Sequence, residues 1–213
     1  MEAEPIFRNR TEAGKALAVP LAELVAEAGA LILALPRGGV PVGFQIAQAL
    51  QADLDVFLVR KLGLPGQEEL ALGAIASGGV RVLNEDLIDE LQFPGQLIDE
   101  ITAREENELK RREELYRGGR PALVVHGRTV VLVDDGLATG ASMKAAVAAL
   151  RLQQPKRVIV AVPVAAREVF NEFRRHVAET VCLHAPKHFT AVGVWYEDFA
   201  QVTDSDVQRL LGG

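Results

Sequence analysis

One stretch decides the fold, and it reads VVLVDDGLATGASM over Val130–Met143. Its apolar half is typical of a buried parallel strand, and it leads directly into two acids, Asp134 and Asp135. A loop of small residues follows, and a helical pattern begins near Ala141. Because open α/β sheets bind ligands at the carboxyl ends of their strands, the two acids are predicted to lie in a binding site.

The loop after the acids predicts a phosphate site. Backbone N–H groups at the start of a helix can point at one anion, and the helix dipole favours its charge. Gly136 and Gly140 permit a close approach of the backbone, while Thr139 and Ser142 supply hydroxyl donors. The stretch has neither a P-loop Gly-Lys-Ser/Thr nor a GxGxxG fingerprint, so P-loop nucleotide hydrolysis and dinucleotide binding are not indicated. The predicted phosphate-binding residues are Ala138, Thr139, Gly140, Ala141 and Ser142.

The paired acids are expected to face hydroxyl groups or a cation, because two carboxylates would repel a free anion. A phosphorylated sugar fits, with its phosphate in the loop and its ribose hydroxyls on Asp134 and Asp135. Mg²⁺ also prefers such oxygen ligands. The alternative is that Asp134 only caps the end of the strand and that Asp135 is solvated.

A second anion site is predicted in ALPRGGVP, Ala34–Pro41, which ends one apolar strand and opens a helix. Gly38 and Gly39 expose backbone donors at a helix N-terminus, and Arg37 adds positive charge. If the two strands are neighbours, this site lies beside the first. The alternative is an ordinary turn between a strand and a helix.

The rest of the chain repeats the alternation of strand and helix. Apolar runs predict parallel strands at Ala30–Leu35, Leu54–Val59, Thr129–Val133 and Val158–Val162. Helical patterns cover Glu12–Glu27, Val40–Gln51, Ala141–Gln153 and Ala165–His176. This alternation predicts an α/β fold, an open parallel sheet with helices on both faces.

Two regions depart from that alternation. Leu70–Leu83 contains Gly78-Gly79 between apolar stretches, which predicts a β-hairpin outside the parallel sheet. Residues 84–118 predict a helical insertion, interrupted at Pro94-Gly95 and densely charged in its second half. That half is interpreted as a solvated helix or, alternatively, as a lid or subunit contact. Its acid-first pairs at i,i+4 spacing are Glu106/Lys110, Glu108/Arg112 and Glu113/Arg117.

Composition narrows the class of protein. The chain has 213 residues, 49% of them apolar, which suits one domain over 1–213 with a sizeable core. The net charge of −6 argues against a broad nucleic-acid surface. Cys182 is the only cysteine, which excludes an internal disulfide and favours a cytoplasmic location. The acidic Met1–Pro5 does not suit a signal peptide, and no run of 18 apolar residues predicts a membrane span.

The segment Val131–Ser142 resembles the phosphoribosyl-pyrophosphate (PRPP) motif of type I phosphoribosyltransferases, and a weaker resemblance extends over residues 30–162. The resemblance implies that Asp134 and Asp135 bind the ribose 2′- and 3′-hydroxyls and that the following loop binds the 5′-phosphate. It also implies that PRPP binds with Mg²⁺. The loop Arg37–Gly39 would bind the pyrophosphate, and in the family this loop often has a strained or cis peptide.

Arg60-Lys61 ends the second predicted strand, where two cations suit phosphate contacts. The resemblance places Lys61 near the pyrophosphate. It also implies that the segment Lys61–Val82 is a flexible loop that closes over the substrate. The catalytic residues implied in this way are Asp134, Asp135, Lys61 and Arg37.

Members of the family carry a small hood that recognises the acceptor, the group that receives the ribose, and Ala185–Gly213 is the candidate hood here. An acceptor base could stack on Phe189, Trp195 or Tyr196. The alternative is that the aromatic residues pack the core of the hood. Leu137-Ala138 occupies the stretch where several purine enzymes carry an acidic general base, which argues against purine salvage by that route.

These residues favour a phosphoribosyltransferase that moves the 5-phosphoribosyl group of PRPP to a nitrogenous acceptor, such as a nucleobase, and releases pyrophosphate. Mg²⁺ is the expected cofactor, and a homodimer is compatible with this function. Two other functions stay open: a regulatory protein that binds PRPP without catalysis, and a hydrolase that acts on a phosphorylated ribose. No nucleic-acid or membrane partner is expected, because the chain has no evident helix-turn-helix, basic arm or apolar span.

Overall fold

The computed structural model describes residues 4–25, 29–64, 67–176 and 179–212. Its strands are β1 (Leu31–Ala34), β2 (Asp53–Val56), β3 (Val59–Leu64), β4 (Gln67–Ala76), β5 (Val80–Leu83), β6 (Thr129–Val133), β7 (Arg157–Val164) and β8 (Glu179–His184). Its α-helices are α1 (Arg10–Leu24), α2 (Gly39–Leu50), α3 (Glu85–Leu91), α4 (Gly95–Arg117), α5 (Ala141–Leu152), α6 (Arg167–His176) and α7 (Asp204–Leu210). None of the described helices is long and apolar enough to cross a membrane.

The central sheet is parallel, with the strand order β2-β1-β6-β7-β8. Every residue of β1 and β6 is buried, as their continuous apolar runs predict. Ala34 and Val133 are in register at the carboxyl ends of these two strands. The loops that follow β1 and β6 therefore leave the sheet side by side, and the predicted α/β class is confirmed.

Helices cover both faces of this sheet. Leu17 of α1 packs in one core cluster with Val131 of β6. On the opposite face, Met143 of α5 and Phe173 of α6 pack in a second cluster with Leu132. Consecutive residues of β6 point to opposite faces, so packing from both sides fixes the strand that carries the acid pair.

Strands β3, β4 and β5 form a separate antiparallel sheet. The turn between β4 and β5 holds Gly78 and Gly79, which both have a positive φ, and the predicted hairpin is confirmed. The segment Lys61–Val82 forms most of this sheet, apart from residues 65–66, which lie outside the described part of the chain. Leu62 and Leu72 are buried in it. Closure of this segment over a substrate stays a prediction.

One predicted strand, Leu54–Val59, is corrected by the structure. β2 ends at Val56, and the chain enters the small sheet as β3 at Val59. The cause is a change of hydrogen-bond partner, because the Leu58 N–H donates to Ser77 Oγ at 3.0 Å rather than to the central sheet.

The helical insertion consists of α3 and α4 with a break at residues 92–94, as predicted. The interpretation of its second half as a solvated helix is wrong for one face of α4. Ile101 and Leu109 are buried with Leu62 of the small sheet and Val207 of α7. Apolar positions spaced by seven or eight residues keep one face of the helix toward this core, while its charges lie elsewhere. Two of the predicted i,i+4 pairs are formed, Glu108–Arg112 and Glu113–Arg117.

Arg117 ties the end of α4 to the central sheet. Its buried guanidinium donates to both carboxylate oxygens of Asp55, at 3.0 and 3.1 Å, and to the Val56 carbonyl at 3.1 Å. Asp55 also accepts a hydrogen bond from the Leu123 N–H at 3.2 Å. This buried, hydrogen-bonded ion pair fixes where the insertion sits relative to β2.

Both ends of the described chain build the hood. The Phe7 N–H donates to the Trp195 carbonyl at 3.1 Å, and the Glu197 N–H donates to the Phe7 carbonyl at 2.9 Å. The candidate hood at 185–213 is therefore joined by the segment that precedes α1, and this segment carries the start of α1 to the site.

Candidate functional site

The loops after β1 and β6 are in direct contact. A Cβ atom on Gly39 would lie 2.7 Å from the Val133 carbonyl oxygen, and one on Gly38 would lie 2.1 Å from Asp135 Oδ2. Only glycine fits where the β1 loop passes against the acids without displacing them. The Pro36–Arg37 peptide in this loop is cis.

Asp134 and Asp135 are half-buried at the carboxyl end of β6. Asp134 Oδ1 accepts a hydrogen bond from the Asp135 N–H at 2.8 Å, and Asp135 Oδ2 accepts one from Arg10 Nε at 2.8 Å. Burial raises the pKa of Asp134, and the negative charge of Asp135 raises it further. Burial also raises the pKa of Asp135, while Arg10 opposes that shift. Both carboxylates would be stabilised in their ionised form by hydroxyl donors or a cation.

Arg10 is a site residue that sequence reasoning missed. As the first residue of α1, it also donates from Nη1 to the Ala200 carbonyl at 2.8 Å, and its guanidinium lies 3.7 Å from the centre of the Phe199 ring. It lies 125 positions from Asp135 in the sequence, so no local pattern links the two residues. The sequence offers only a weak signal for this role. Arg10 is a cation at the N-terminus of a helix, where the helix dipole favours a negatively charged side chain.

The predicted phosphate loop lies exposed at the N-terminus of α5. Thr139 and Ser142 are exposed, while Leu137 is buried beneath the loop. Gly140 has a φ of 70°, and a Cβ atom there would lie 2.8 Å from Phe173 of α6. Glycine is therefore required at position 140 because of the positive φ and because α6 packs against it. The sequence had suggested a different reason, the close approach of the backbone to an anion. The open start of α5 is suited to an anion.

Two clefts open at this edge of the sheet, one for each acid. We call the first the hood cleft, and it is lined by Arg10, Arg37, Gly38, Asp135, Val192 and Phe199. We call the second the insertion cleft, and it is lined by Pro36, Phe57, Arg60, Arg112, Asp134 and Ser142. Arg112 comes from α4, so the insertion reaches the site. The sequence offered a lid only as an alternative for this helix and did not single out Arg112 as a site residue.

The two predicted catalytic cations lie in different places. Arg37 lines the hood cleft, with its Nη1 3.6 Å from Asp204 Oδ1. Lys61 lines a third cleft with Arg104 and Glu105 and is not among the residues that line the hood cleft or the insertion cleft. Successive side chains of a strand point to opposite faces, so of the Arg60-Lys61 pair it is the arginine that reaches the insertion cleft.

The predicted stacking role of Trp195 and Tyr196 is corrected. Both side chains are buried in the core of the hood, and neither presents a ring face to a base. The Tyr196 hydroxyl donates to the Asp135 carbonyl at 2.6 Å, and burial raises its pKa, so it stays protonated. Phe189 is half-buried with its ring centre 6.2 Å from that of Trp195. Phe199, which the sequence did not single out for acceptor binding, is the aromatic residue that lines the hood cleft.

The acid pair can supply only part of a magnesium site. No group of three or more His, Cys, Asp or Glu side chains within the described ranges could hold a metal ion. Asp135 Oδ2 already accepts a hydrogen bond from Arg10. Because Mg²⁺ takes six oxygen ligands and usually keeps waters and substrate phosphates among them, these residues fit an ion that binds together with a phosphorylated substrate.

The parallel sheet flanked by helices, with the acid pair at its carboxyl edge, agrees with the resemblance to type I phosphoribosyltransferases. The model of the phosphoribosyl transferase domain matches residues 61–193, more than half of the chain. The chain belongs to this family.

Similar proteins agree with that assignment. Proteins from Mycobacterium tuberculosis strains CDC 1551 / Oshkosh and H37Rv carry the provisional name phosphoribosyl transferase, and each is 44% identical over 206 residues. The match covers 97% of this chain but only 46% of those relatives. The crystal structure of TT1426 from Thermus thermophilus is 46% identical, with a TM-score of 0.86 over 96% of this chain and 97% of that one. A purine phosphoribosyltransferase from Pyrococcus horikoshii Ot3 shares the fold, with 14% identity and a TM-score of 0.51 over 95% of this chain and 99% of that one.

Proposed function

We propose that this chain transfers the 5-phosphoribosyl group of PRPP to a nitrogenous acceptor and releases pyrophosphate. One observation carries the proposal: Asp134 and Asp135 directly follow β6 and precede an exposed loop at the N-terminus of α5. Carboxylates that accept from neighbouring hydroxyls, next to backbone donors for a phosphate, suit a ribose 5-phosphate group. Membership of the phosphoribosyl transferase family supports the same reaction.

In this proposal the ribose hydroxyls donate to Asp134 and Asp135, and residues 138–142 bind the 5′-phosphate. The pKa values of both acids are raised by burial. Burial removes water from these carboxylates, so hydrogen bonds from the ribose hydroxyls would take the place of the lost hydration and would favour the ionised form of both acids. Since Arg10 already holds one oxygen of Asp135, a hydroxyl would bind the other.

The loop Arg37–Gly39 is proposed to bind the pyrophosphate group. Its glycines lie against Val133 and Asp135, so its backbone runs beside the proposed ribose site. Mg²⁺, when bound with the substrate, supplies positive charge beside the leaving group. Asp134 and Asp135 are the residues of this chain that would contribute oxygen ligands to it.

The proposed step is a substitution at C1 of the ribose. A nitrogen lone pair of the acceptor forms the new bond to C1, and the C1–O bond to pyrophosphate breaks with its electron pair leaving on oxygen. An acceptor that carries an N–H gives up that proton to the released pyrophosphate or to solvent water. Positive charge develops on the sugar, which the carboxylates of Asp134 and Asp135 favour, and negative charge develops on pyrophosphate near Arg37. Lys61 is proposed as a further cation that joins the site when the β3–β4 segment closes.

The acceptor is proposed to bind in the hood cleft. Phe199 offers a ring there, Val192 offers apolar surface, and Asp135 and Gly38 bring the cleft next to the proposed ribose site. A flat heterocycle such as a nucleobase suits these contacts. This placement replaces Trp195 and Tyr196 as stacking residues.

The experiment is a pyrophosphate-release assay with Mg²⁺ and PRPP, run with and without pools of nucleobases and small amines. A transferase releases pyrophosphate only when PRPP and an acceptor are both present. Release with PRPP alone would identify a hydrolase instead. PRPP binding without release for any acceptor would identify a non-catalytic binding protein and would overturn the proposed transfer.

A further inference from the structure

The insertion cleft contains two arginines that are held in place by carboxylates of α4. Arg60 donates from Nε and Nη2 to Glu105 Oε2, at 2.9 and 2.5 Å. Arg112 donates from Nε to Glu108 Oε1 at 2.7 Å. The two acids are three residues apart, which places them on one side of the helix. Both guanidinium groups line the cleft that also contains Asp134.

Each of these carboxylates also holds a second arginine that does not line the insertion cleft. Glu105 pairs with Arg104 at 3.1 Å, and Glu108 pairs with Arg111 at 2.7 Å. Within this cluster, four guanidinium groups are paired with two carboxylates, so the cluster itself carries an excess of positive charge. Hydrogen bonds from Arg111 and Arg112 lower the pKa of Glu108 to about 2, so it stays ionised at neutral pH.

The same cleft is lined by Pro36, which opens the loop proposed to bind pyrophosphate. Arg60 and Arg112 therefore share this cleft with the β1 loop. The resemblance placed Lys61 near the pyrophosphate, but Lys61 does not line the insertion cleft. Guanidinium groups bind phosphate oxygens through paired N–H donors, and an arginine already held by a carboxylate loses less freedom when it binds.

We propose that Arg60 and Arg112 bind the pyrophosphate group of the substrate, and that Glu105 and Glu108 position them. This inference rests on the proposed function, because it assigns a ligand group to the same site. It makes α4 a part of the substrate site, so the helical insertion supplies a binding residue.

The test compares Arg112→Gln with Arg111→Gln. Both variants remove one positive charge from the same turn of α4 and one partner from Glu108, but only Arg112 lines the cleft. Calorimetric titrations use Mg²⁺–PRPP, inorganic pyrophosphate and ribose 5-phosphate as separate ligands. We expect R112Q to weaken PRPP and pyrophosphate binding about tenfold and to leave ribose 5-phosphate binding unchanged. We expect R111Q to stay within about twofold of the wild type for all three ligands.

Several results would overturn the inference. Equal weakening by the two variants would mean that only the overall charge of α4 matters. Weakening of ribose 5-phosphate as strongly as of PRPP would assign Arg112 to the 5′-phosphate instead. A wild-type protein that binds PRPP, together with unchanged PRPP and pyrophosphate binding in R112Q, would contradict the claim that α4 supplies a residue that binds the pyrophosphate. If the wild type binds neither PRPP nor ribose 5-phosphate, the proposed function fails together with the inference.

Discussion

The hood cleft and the insertion cleft each receive one acid of the pair, and they surround it differently. In the hood cleft, Asp135 is paired directly with Arg10, whose guanidinium also lies over Phe199. In the insertion cleft, the cations Arg60 and Arg112 are paired with carboxylates of α4 rather than with Asp134.

This difference suggests a division of roles between the two clefts. In the hood cleft the charges of Arg10 and Asp135 offset each other beside an aromatic ring. Arg37, which also lines this cleft, lies 3.6 Å from Asp204 Oδ1, so its charge is offset as well, and the cleft suits a flat acceptor with little charge.

Glu105 and Glu108 hold the arginines of the insertion cleft and are shared with Arg104 and Arg111, so guanidinium groups outnumber carboxylates in this cluster, which suits a phosphate-rich leaving group. The adjacent acids of β6 would then connect two substrates of different character.

The largest expected effect comes from separating the insertion from the central sheet with Arg117→Met. This change leaves the buried Asp55 carboxylate without its cation, and loss of one partner of a buried ion pair costs about 3–5 kcal/mol. Denaturant unfolding should show a drop of that size. The double variant Arg117→Met/Asp55→Asn should recover part of the loss, because no uncompensated charge remains. A drop below about 1 kcal/mol, the size of a surface pair, would mean that Arg117 does not anchor α4.

A smaller effect, confined to the hood cleft, is expected from Gly38→Ala. The new Cβ would lie 2.1 Å from Asp135 Oδ2, so the carboxylate must rotate away from Arg10. PRPP affinity should fall about 30-fold, the equivalent of one lost charge-assisted hydrogen bond, while the melting temperature changes little. Gly95→Ala is the matched control, because a Cβ atom there meets no heavy atom within 4 Å. Unchanged affinity in Gly38→Ala would show that the position of Asp135 does not matter for PRPP.

The smallest expected effect is a shift in pH dependence. Burial raises the pKa values of Asp134 and Asp135. As the pH falls toward the ordinary carboxyl pKa of about 4, the two acids take up protons more readily in the folded state than in the unfolded state. Their contribution to stability should therefore rise, while PRPP binding, which needs ionised acids, should weaken. Glu108 and Asp206, whose pKa values are lowered to about 2, act in the opposite sense, because their contribution to stability is lost as the pH falls from the ordinary carboxyl pKa of about 4 toward about 2.

Arg10→Gln sharpens this pH test, since Arg10 lowers the pKa of Asp135. Without the guanidinium, the loss of PRPP binding should begin at a higher pH than in the wild type. Arg8→Gln makes the same change of charge at an exposed position and should leave the profile in place. Superimposable profiles for the wild type and Arg10→Gln would contradict the role given to the Arg10–Asp135 pair.

The sheet and its acid-bearing edge were predictable, because their signals are local. Continuous apolar runs mark β1 and β6, and the order of strand, acids, small residues and helix is written in one segment, Val130–Met143. Once β1 and β6 are parallel neighbours, the loops that follow them must lie side by side at the carboxyl edge of the sheet. Gly38 and Gly39 were likewise predictable as a loop with exposed backbone donors at a helix N-terminus, whereas the lack of room for a side chain there is known from the structure.

The walls of the two clefts were not predictable, because they are assembled from distant parts of the chain. Arg10 and Phe199 meet Asp135 from opposite ends of the sequence, and Arg112 comes from a helix whose charges looked uniformly solvated. Composition marked Trp195 as a candidate for stacking, yet burial in the hood gives it a packing role. The resemblance pointed to Lys61, whereas Arg60 is the residue of this pair that lines the insertion cleft, and the role of Lys61 stays a prediction.

Calorimetric titration of Mg²⁺–PRPP into the wild type and into Asp134→Asn/Asp135→Asn tests most directly whether the acid pair holds the ribose. The wild type should bind PRPP, and the double variant should bind it at least about 100-fold more weakly, because two charge-assisted hydrogen bonds are lost. The variant should be no less stable than the wild type at neutral pH, because it removes two carboxylates whose ionisation is disfavoured by burial. Equal PRPP affinity in the two proteins, with both folded, would contradict the assignment of the ribose site to Asp134 and Asp135.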